Sequence, residues 1–356
     1  MSTSLATESM AAEAMIASAA DREYQDDILQ DVSRTFALTI PQLPAALREV
    51  VGNAYLLCRI ADTIEDDKDL SGETKREFAE RFIDVVAGRT VAANFGRDLA
   101  PRLSGYTPEA ERDLVANTEA VIRITHSFTR RQRDALERCV RIMAEGMAHY
   151  QEAETLNGLA SQPEMDRYCY YVAGVVGEML TELFCSYSSS IDARHDELMQ
   201  LSVSFGQALQ MTNILKDIWD DRRRGACWLP RDRFAEVGVT LSAVEPGAGG
   251  GQFEQCLDEL VGIAHGHLQN ALRYTLLIPA EEAGIRKFCL WALGMAVLTL
   301  RKIHANPGFS DGQQVKISRR SVKLTIFLTN LTVGSDKLLK LLFNLSAKGL
   351  PKPPTP

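Results

Sequence analysis

Apolar residues recur at i, i+3, i+4 and i+7 through nearly every long segment of this chain, and runs of alternating β-branched residues are few and short. That period matches one face of an α-helix. The spacing therefore predicts an all-α fold. Helix starts are readable in the same way: Thr107 before Pro108 predicts an N-cap with proline at the first helical position, and Ser161 with Glu164 predicts a capping box. Pro246 to Gly251 is too rich in glycine for a helix interior. No strand precedes it, so it is read as a connector and not as a phosphate cradle.

With 356 residues, of which 46% are hydrophobic, the chain can bury a large core. The periodicity favours one catalytic domain over 25–345, with a loose N-terminal tail at 1–24 and a Pro-rich tail at 346–356. A net charge of −8 argues against nucleic acid as a partner, so an anionic ligand would need local metals or basic side chains. The seven cysteines are odd in number and scattered, and none is in a C-x-x-C pair, which predicts neither a disulfide framework nor a zinc site. The first twenty residues lack Lys and Arg and fit no targeting peptide, so a reducing, cytoplasmic setting is expected. Residues 337–350 (KLLKLLFNLSAKGL) have the pattern of an interfacial helix, which gives peripheral membrane contact as one reading and docking on the core as the other. The oligomeric state cannot be read.

The chemistry concentrates in two acidic segments. Asp62 and Asp66 stand four apart, so both carboxylates leave one helix face, where they repel unless a cation lies between them. Tyr55, Arg59, Asp62 and Asp66 step by four, three and four, and apolar residues lie between them. A second D-x-x-(D/E)-D follows at Asp217 to Asp221, preceded in step by Gln210 and Asn213. Paired carboxylates suit magnesium, with manganese as the alternative ion, because magnesium binds through one or two carboxylates plus substrate phosphates. The two stripes are expected to face each other across an apolar cavity. Phe36, Tyr55, Tyr168, Tyr171 and Phe288 could stabilise positive charge there through their ring faces, although core packing is the ordinary role of each. Arg223, in the run Arg222 to Arg224, either balances the neighbouring acids or grips a diphosphate. His265 and His267 are read as ordinary exposed or capping histidines.

The segments SRTFALTIPQL (from Ser33), YLLCRIADTIEDD (from Tyr55), YCYYVAGVVGEML (from Tyr168) and QALQMTNILKDIWDD with RRRGACWLP resemble the signature regions of the squalene/phytoene synthase family, over about Ser33 to Phe327. The resemblance implies a single-domain isoprenoid synthase helical fold around a central cavity and prenyl diphosphate substrates. It implies magnesium at Asp62, Glu65, Asp66, Asp217 and Asp221. It also implies substrate contacts at Ser33, Arg34, Phe36, Tyr55, Arg59, Tyr171, Arg223 and Phe288, with Tyr168 as the catalytic tyrosine and Gln210 and Asn213 orienting the reactants. VKISRRSVKLTIF, from Val315, is similar to the basic segment that the squalene synthases of the family use for NADPH. That likeness implies cofactor contacts from Arg34, Arg59, Asn213, Lys216, Lys316 and Arg319, and head-to-head condensation of two farnesyl diphosphates followed by reduction.

Non-reductive dehydrosqualene or phytoene synthesis, water-quenched hydroxysqualene synthesis and a catalytically silent assembly factor remain alternatives. Two departures bear on the choice. Lys216 stands where the family usually has Arg, and Ser318 where a second basic residue is usual. The hydrophobic C-terminal anchor of eukaryotic relatives is absent from this sequence.

Overall fold

A computed structural model describes residues 16–33, 35–151, 155–247 and 251–353, with the side chain of residue 151 excepted. These residues are helical with turns and loops. The one β-type pairing among them is an isolated bridge between Leu159 and Pro230. Within the span read as a single catalytic domain, two compact units occur, residues 16–151 with 182–188 and residues 155–181 with 189–353.

In the first unit, α1 (Ala19–Val32) starts on a capping box in which Ser18 and Asp21 exchange backbone and side-chain bonds. It begins inside the span read as a loose tail, while residues 1–15 lie outside the described residues. Helix α2 (Ala45–Asp66) buries Leu47, Val50, Val51, Ala54, Leu57 and Ala61 at helical spacing. Its fully buried Asn53 donates to Gln25 Oε1 (3.0 Å) and the Val121 carbonyl (2.9 Å) and accepts from Thr125 Oγ1 (2.8 Å), so no amide hydrogen-bonding group is stranded by burial on α2's inner face. Around it lie α3 (Gly72–Val86), α4 (Ala92–Leu99), α5 (Glu109–Ala116), α6 (Thr118–Ser127) and α7 (Arg130–Gln151).

Helix α5 starts one residue later than expected, with Pro108 itself at the cap position. Thr107 makes no cap because its hydroxyl donates to Asp67 Oδ2 at 2.7 Å.

The second unit contains α8 (Gln162–Cys169), a π-helical turn at Tyr170–Gly174, α9 (Val175–Tyr187, whose last residues belong to the first unit), α10 (His195–Arg223), α11 (Gly251–Leu277), α12 (Ala283–Ala305), α13 (Arg319–Thr332) and α14 (Asp336–Ser346). Ser161 does occupy the N-cap of α8 but makes no side-chain cap bond. Gly247 takes a left-handed turn conformation, φ 73°, as a connector requires.

Glycines set the approach of the π turn and α9 to α10. A Cβ at Gly206 would lie 2.1 Å from the Ala173 carbonyl oxygen, and one at Gly177 would lie 2.2 Å from that of Ser202. Only glycine permits backbones this close.

His265 is buried, contrary to the exposed reading, with Nδ1 2.9 Å from the Pro351 carbonyl; residues 351–353 of the Pro-rich tail lie along α11 here. His267 is bonded to Ser204 Oγ at 2.8 Å, and burial holds its pKa below the ordinary value. Helix α12 is long and apolar enough to cross a bilayer, but 67% of its apolar stretch is buried inside the protein, as in a core helix. The C-terminal segment 337–350, read as an interfacial or core-docked helix, is too short to cross a bilayer and packs on α12 and α13.

Candidate active site

The first acidic stripe lies on α2, whose intervening residues Leu56, Leu57, Ile60 and Ile64 are buried, leaving Tyr55, Arg59 and Asp62 half-buried and Asp66 exposed. Tyr55 Oη donates to the Val32 carbonyl at 3.0 Å and accepts from Arg59 Nη2 at 2.9 Å, while its ring centroid lies 5.2 Å from that of Phe36. Ser33 is buried at the end of α1 and caps the Phe36 N–H at 3.0 Å. Ser33, Phe36, Tyr55, Arg59 and Asp62 are therefore linked in one unit through α1 and α2. Arg34 lies outside the described residues.

Arg59 carries the local positive charge. Its Nη1 is 3.7 Å from Asp62 and 3.9 Å from Glu111 on α5, yet its Nε is buried with no hydrogen-bond partner. A buried unpaired donor is costly, so this atom favours an anionic ligand. Burial pushes the Asp62 carboxyl up to about 7; Arg59 opposes the rise, and Asp66 and Glu111 add to it. Such a carboxylate favours added positive charge. Glu65 departs from the stripe and lines a small crevice with Lys75 and Phe82.

Two acids near this stripe were missed by sequence reasoning. Glu111 has no motif to mark it. Asp67, next to the motif, is buried and accepts from Ser104 N, Thr107 Oγ1, Asp69 N and Leu70 N. Burial alone would raise its pKa, but these donors hold it below the usual range. It ties the end of α2 to the Ser104–Thr107 turn and is structural.

The second stripe lies on α10. Asn213 is exposed, Gln210, Lys216, Asp217 and Asp220 are half-buried, and Asp221 is buried. Lys216 Nζ is 2.9 Å from Asp217, and Arg224 pairs with Asp221. Burial pushes Asp221 up to about 6, against the Arg224 hydrogen bond.

The arginine run divides its labour. Arg222 donates to the carbonyls of Leu241 and Val244, both at 2.7 Å, and so fixes a loop, while Arg223 pairs with Asp220 and lies 3.6 Å from Asp311. Arg223 is thus engaged by acids on both sides. Gly312 packs so close that an added Cβ would meet the Lys216 carbonyl oxygen at 3.1 Å and Asp220 Oδ2 at 3.2 Å. This approach brings the basic C-terminal segment against the acidic one, with Lys316 exposed just beyond Gly312–Val315 and Arg319 exposed at the start of α13.

Tyr168 is buried at the end of α8 and stacks on Trp228, with centroids 4.2 Å apart and planes 4° apart. Trp228 and Asp221 line one narrow crevice, so the tyrosine and the second stripe meet through this tryptophan. Trp228 lies within the quoted RRRGACWLP segment but was not singled out. Tyr171 sits in the π turn at 5.6 Å from Tyr170, and π turns are frequent at functional positions. Phe288 is buried within α12.

Among the described residues, no three His, Cys, Asp or Glu side chains converge as a self-sufficient metal cage. The acids on each stripe are hard carboxylate donors, fitting an ion that completes its shell from a substrate and water.

The squalene/phytoene synthase family model matches residues 29–321. The chain belongs to that family. A squalene/phytoene synthase of this sequence is a prenyltransferase, and its relatives are consistent with that. Squalene synthase ERG9 of Candida albicans is 29% identical over 320 residues, spanning 88% of this chain and 68% of that protein. The solved complex of TcSQS with the ligand BPH1237 superposes with a TM-score of 0.76 at 24% identity, over 92% of this chain and 91% of that one. A dehydrosqualene synthase solved with a ligand gives 0.63 at 20% identity, over 88% and 97%. These likenesses show the helical fold of squalene synthases.

Proposed function

We propose that this family member condenses two farnesyl diphosphates head to head into presqualene diphosphate and, with NADPH, converts that intermediate to squalene. The observation that carries the reading is the repeated D-x-x-(D/E)-D stripe on α2 and α10, with Asp62 and Asp217 half-buried and flanked by Arg59 and Lys216 respectively. Asp62 and Asp66 on α2, and Asp217 and Asp221 on α10, would hold magnesium; Glu65 belongs to the first motif by sequence but lies off its stripe, in the crevice with Lys75 and Phe82. When bound, magnesium neutralises the diphosphate leaving group, and NADPH supplies hydride in the second stage.

The chain's own groups do the rest. Arg59, through its unpartnered Nε, and Lys216 bind diphosphate oxygens, joined by Arg34 and by Arg223 if it releases its acids. The allylic carbon–oxygen bond of one substrate breaks, the double bond of the other attacks, and a proton leaves as the cyclopropane closes. Tyr168 assists that proton loss. Phe36, Tyr55, Tyr171 and Phe288 would each offer a π face to cationic carbon. Gln210 and Asn213 orient the reactants, while Asn213, Lys216, Lys316 and Arg319 hold the phosphates or nicotinamide of NADPH, with Arg34 and Arg59 nearby in role.

One observation favours a non-reductive second reading. Ser318, standing where a basic residue is usual, caps α13 by accepting from Ser321 N at 3.1 Å and so offers no charge to a cofactor phosphate. Incubating the protein with farnesyl diphosphate and magnesium, with and without NADPH, separates the two. The proposal expects presqualene diphosphate without NADPH and squalene with it. The same hydrocarbon in both tubes overturns the reductive assignment, and no magnesium-dependent diphosphate release overturns the condensation itself.

A further inference from the structure

Six of the eleven large apolar side chains left exposed among the described residues lie on α13 and α14. Leu324, Phe327 and Leu331 step by three and four along α13, and Leu338, Leu341 and Leu345 take the same steps along α14. Each set therefore forms one continuous outward face. Such a concentration is more than the scattered single exposures normal for a soluble surface.

Charge follows the same segment. In a protein of net charge −8, residues 312–356 contain eight Lys and Arg and one acid, Asp336. That acid is engaged by the buried Arg286, whose Nη1 lies 2.8 Å from its Oδ1. Lys323, Lys337, Lys340 and Lys348 are all exposed beside the apolar faces.

Beneath the two helices is a cavity of about 400 Å³, bounded on its inner side by Leu293, Val297 and Leu298 of α12 and at its mouth by Leu324 and Leu345. Gly294 keeps α12 close to α13 here, since a Cβ would lie 2.6 Å from Thr325 Cγ2. The cavity has the size of a small-molecule site, and its wall is mainly leucine and valine, with Arg301, Ser321, Thr325, Thr329 and Ser346 also contributing, a lining that suits a hydrocarbon chain.

We propose that α13 and α14 dock this protein on an anionic lipid bilayer, with their apolar faces immersed at the headgroup boundary and the cavity receiving a hydrocarbon chain from the leaflet. Two short amphipathic helices with lysines beside leucine and phenylalanine have the composition of interfacial anchors, and the basic surplus selects anionic lipid over neutral. This inference does not depend on the magnesium chemistry.

The test is sedimentation of the full chain with phosphatidylcholine vesicles with or without about 30% phosphatidylglycerol, a share high enough for the anionic surface potential to act. Binding to the anionic vesicles at least about tenfold above the neutral ones is expected, and 0.5 M salt should weaken it. Phe327→Ser with Leu341→Ser, and separately Lys337→Glu with Lys340→Glu, should each reduce binding at least about tenfold while the circular dichroism stays unchanged. A Leu345→Trp variant should be quenched by brominated acyl chains. Equal sedimentation of all variants, no vesicle binding by the parent chain, or a dimer in solution that the Phe327→Ser, Leu341→Ser variant dissociates would overturn the proposal, the last because a second copy would then cover the face.

Discussion

The ring of Tyr168 lies flat on that of Trp228, with centroids 4.2 Å apart and planes 4° apart, and Trp228 in turn shares a crevice with the buried Asp221. The indole thus fixes the plane of the proposed catalytic phenol relative to the second acidic stripe. An aromatic pair of this kind is worth about 0.5–1.5 kcal/mol, or about two- to tenfold in rate if it acts on the transition state alone. Trp228→Ala is expected to lower kcat in that range with KM for farnesyl diphosphate nearly unchanged, and Trp228→Phe to recover most of the loss. Steady-state kinetics of the two variants check this; an unchanged kcat in Trp228→Ala would remove the stack from the mechanism.

Arg59 is shared between Asp62 and Glu111, and Glu111 competes with any anionic ligand for it. Glu111→Gln should lower KM for farnesyl diphosphate, since the guanidinium then has one less carboxylate to satisfy. Arg59→Gln should raise KM about tenfold or more, in line with about 1.5–3 kcal/mol for a charged hydrogen bond. Opposite movements of KM in the two variants are the signature to seek.

Asp21 accepts from Arg123 at 2.6 Å and sits in the capping box of α1. The Arg123 hydrogen bond holds its pKa at about 2 against an ordinary 3.8, although burial opposes it. Because the folded value is depressed, the pair stabilises the fold above the unfolded value near 4, and that contribution disappears as pH falls from there through about 2. The shift corresponds to about 2 kcal/mol. Urea denaturation should show Asp21→Asn less stable by about that amount at pH 7, with the gap to the parent protein closing toward pH 2.

Gly206 and Gly72 should respond in opposite directions to alanine. At Gly206 the new methyl meets backbone on α10's neighbour, so Gly206→Ala should cost at least about 2–3 kcal/mol by overpacking. At Gly72, in the first turn of α3, nothing lies within 4 Å, and Gly72→Ala should add about 0.5–1 kcal/mol through helix propensity and a less flexible unfolded chain. Thermal melts of both variants test the contrast.

The helices were legible because each buries one stripe, and a stripe is written locally: the apolar residues between Tyr55 and Asp66 announce α2 and aim its acids away from the core. The two D-x-x-(D/E)-D segments were legible for the same reason. What spacing could not show is which distant group completes a site. Glu111 reaches Arg59 from another helix, and Trp228 reaches Tyr168 across sixty positions. Local rules also failed where a tertiary partner bid for the same atom. Thr107 gave up its cap for Asp67, and His265 went inside because a carbonyl of the C-terminal tail meets it there.

The most direct test of magnesium-assisted diphosphate departure is the release of pyrophosphate from farnesyl diphosphate by Asp62→Ala and Asp217→Ala, measured across a magnesium titration with circular dichroism as the fold control. Both variants should keep the parent helicity and lose release by about a thousandfold or more, as expected when electrostatic support of a leaving group is removed. Release at the parent rate in either variant, with the same magnesium dependence, would contradict the assignment of the acidic stripes as the metal-binding centre.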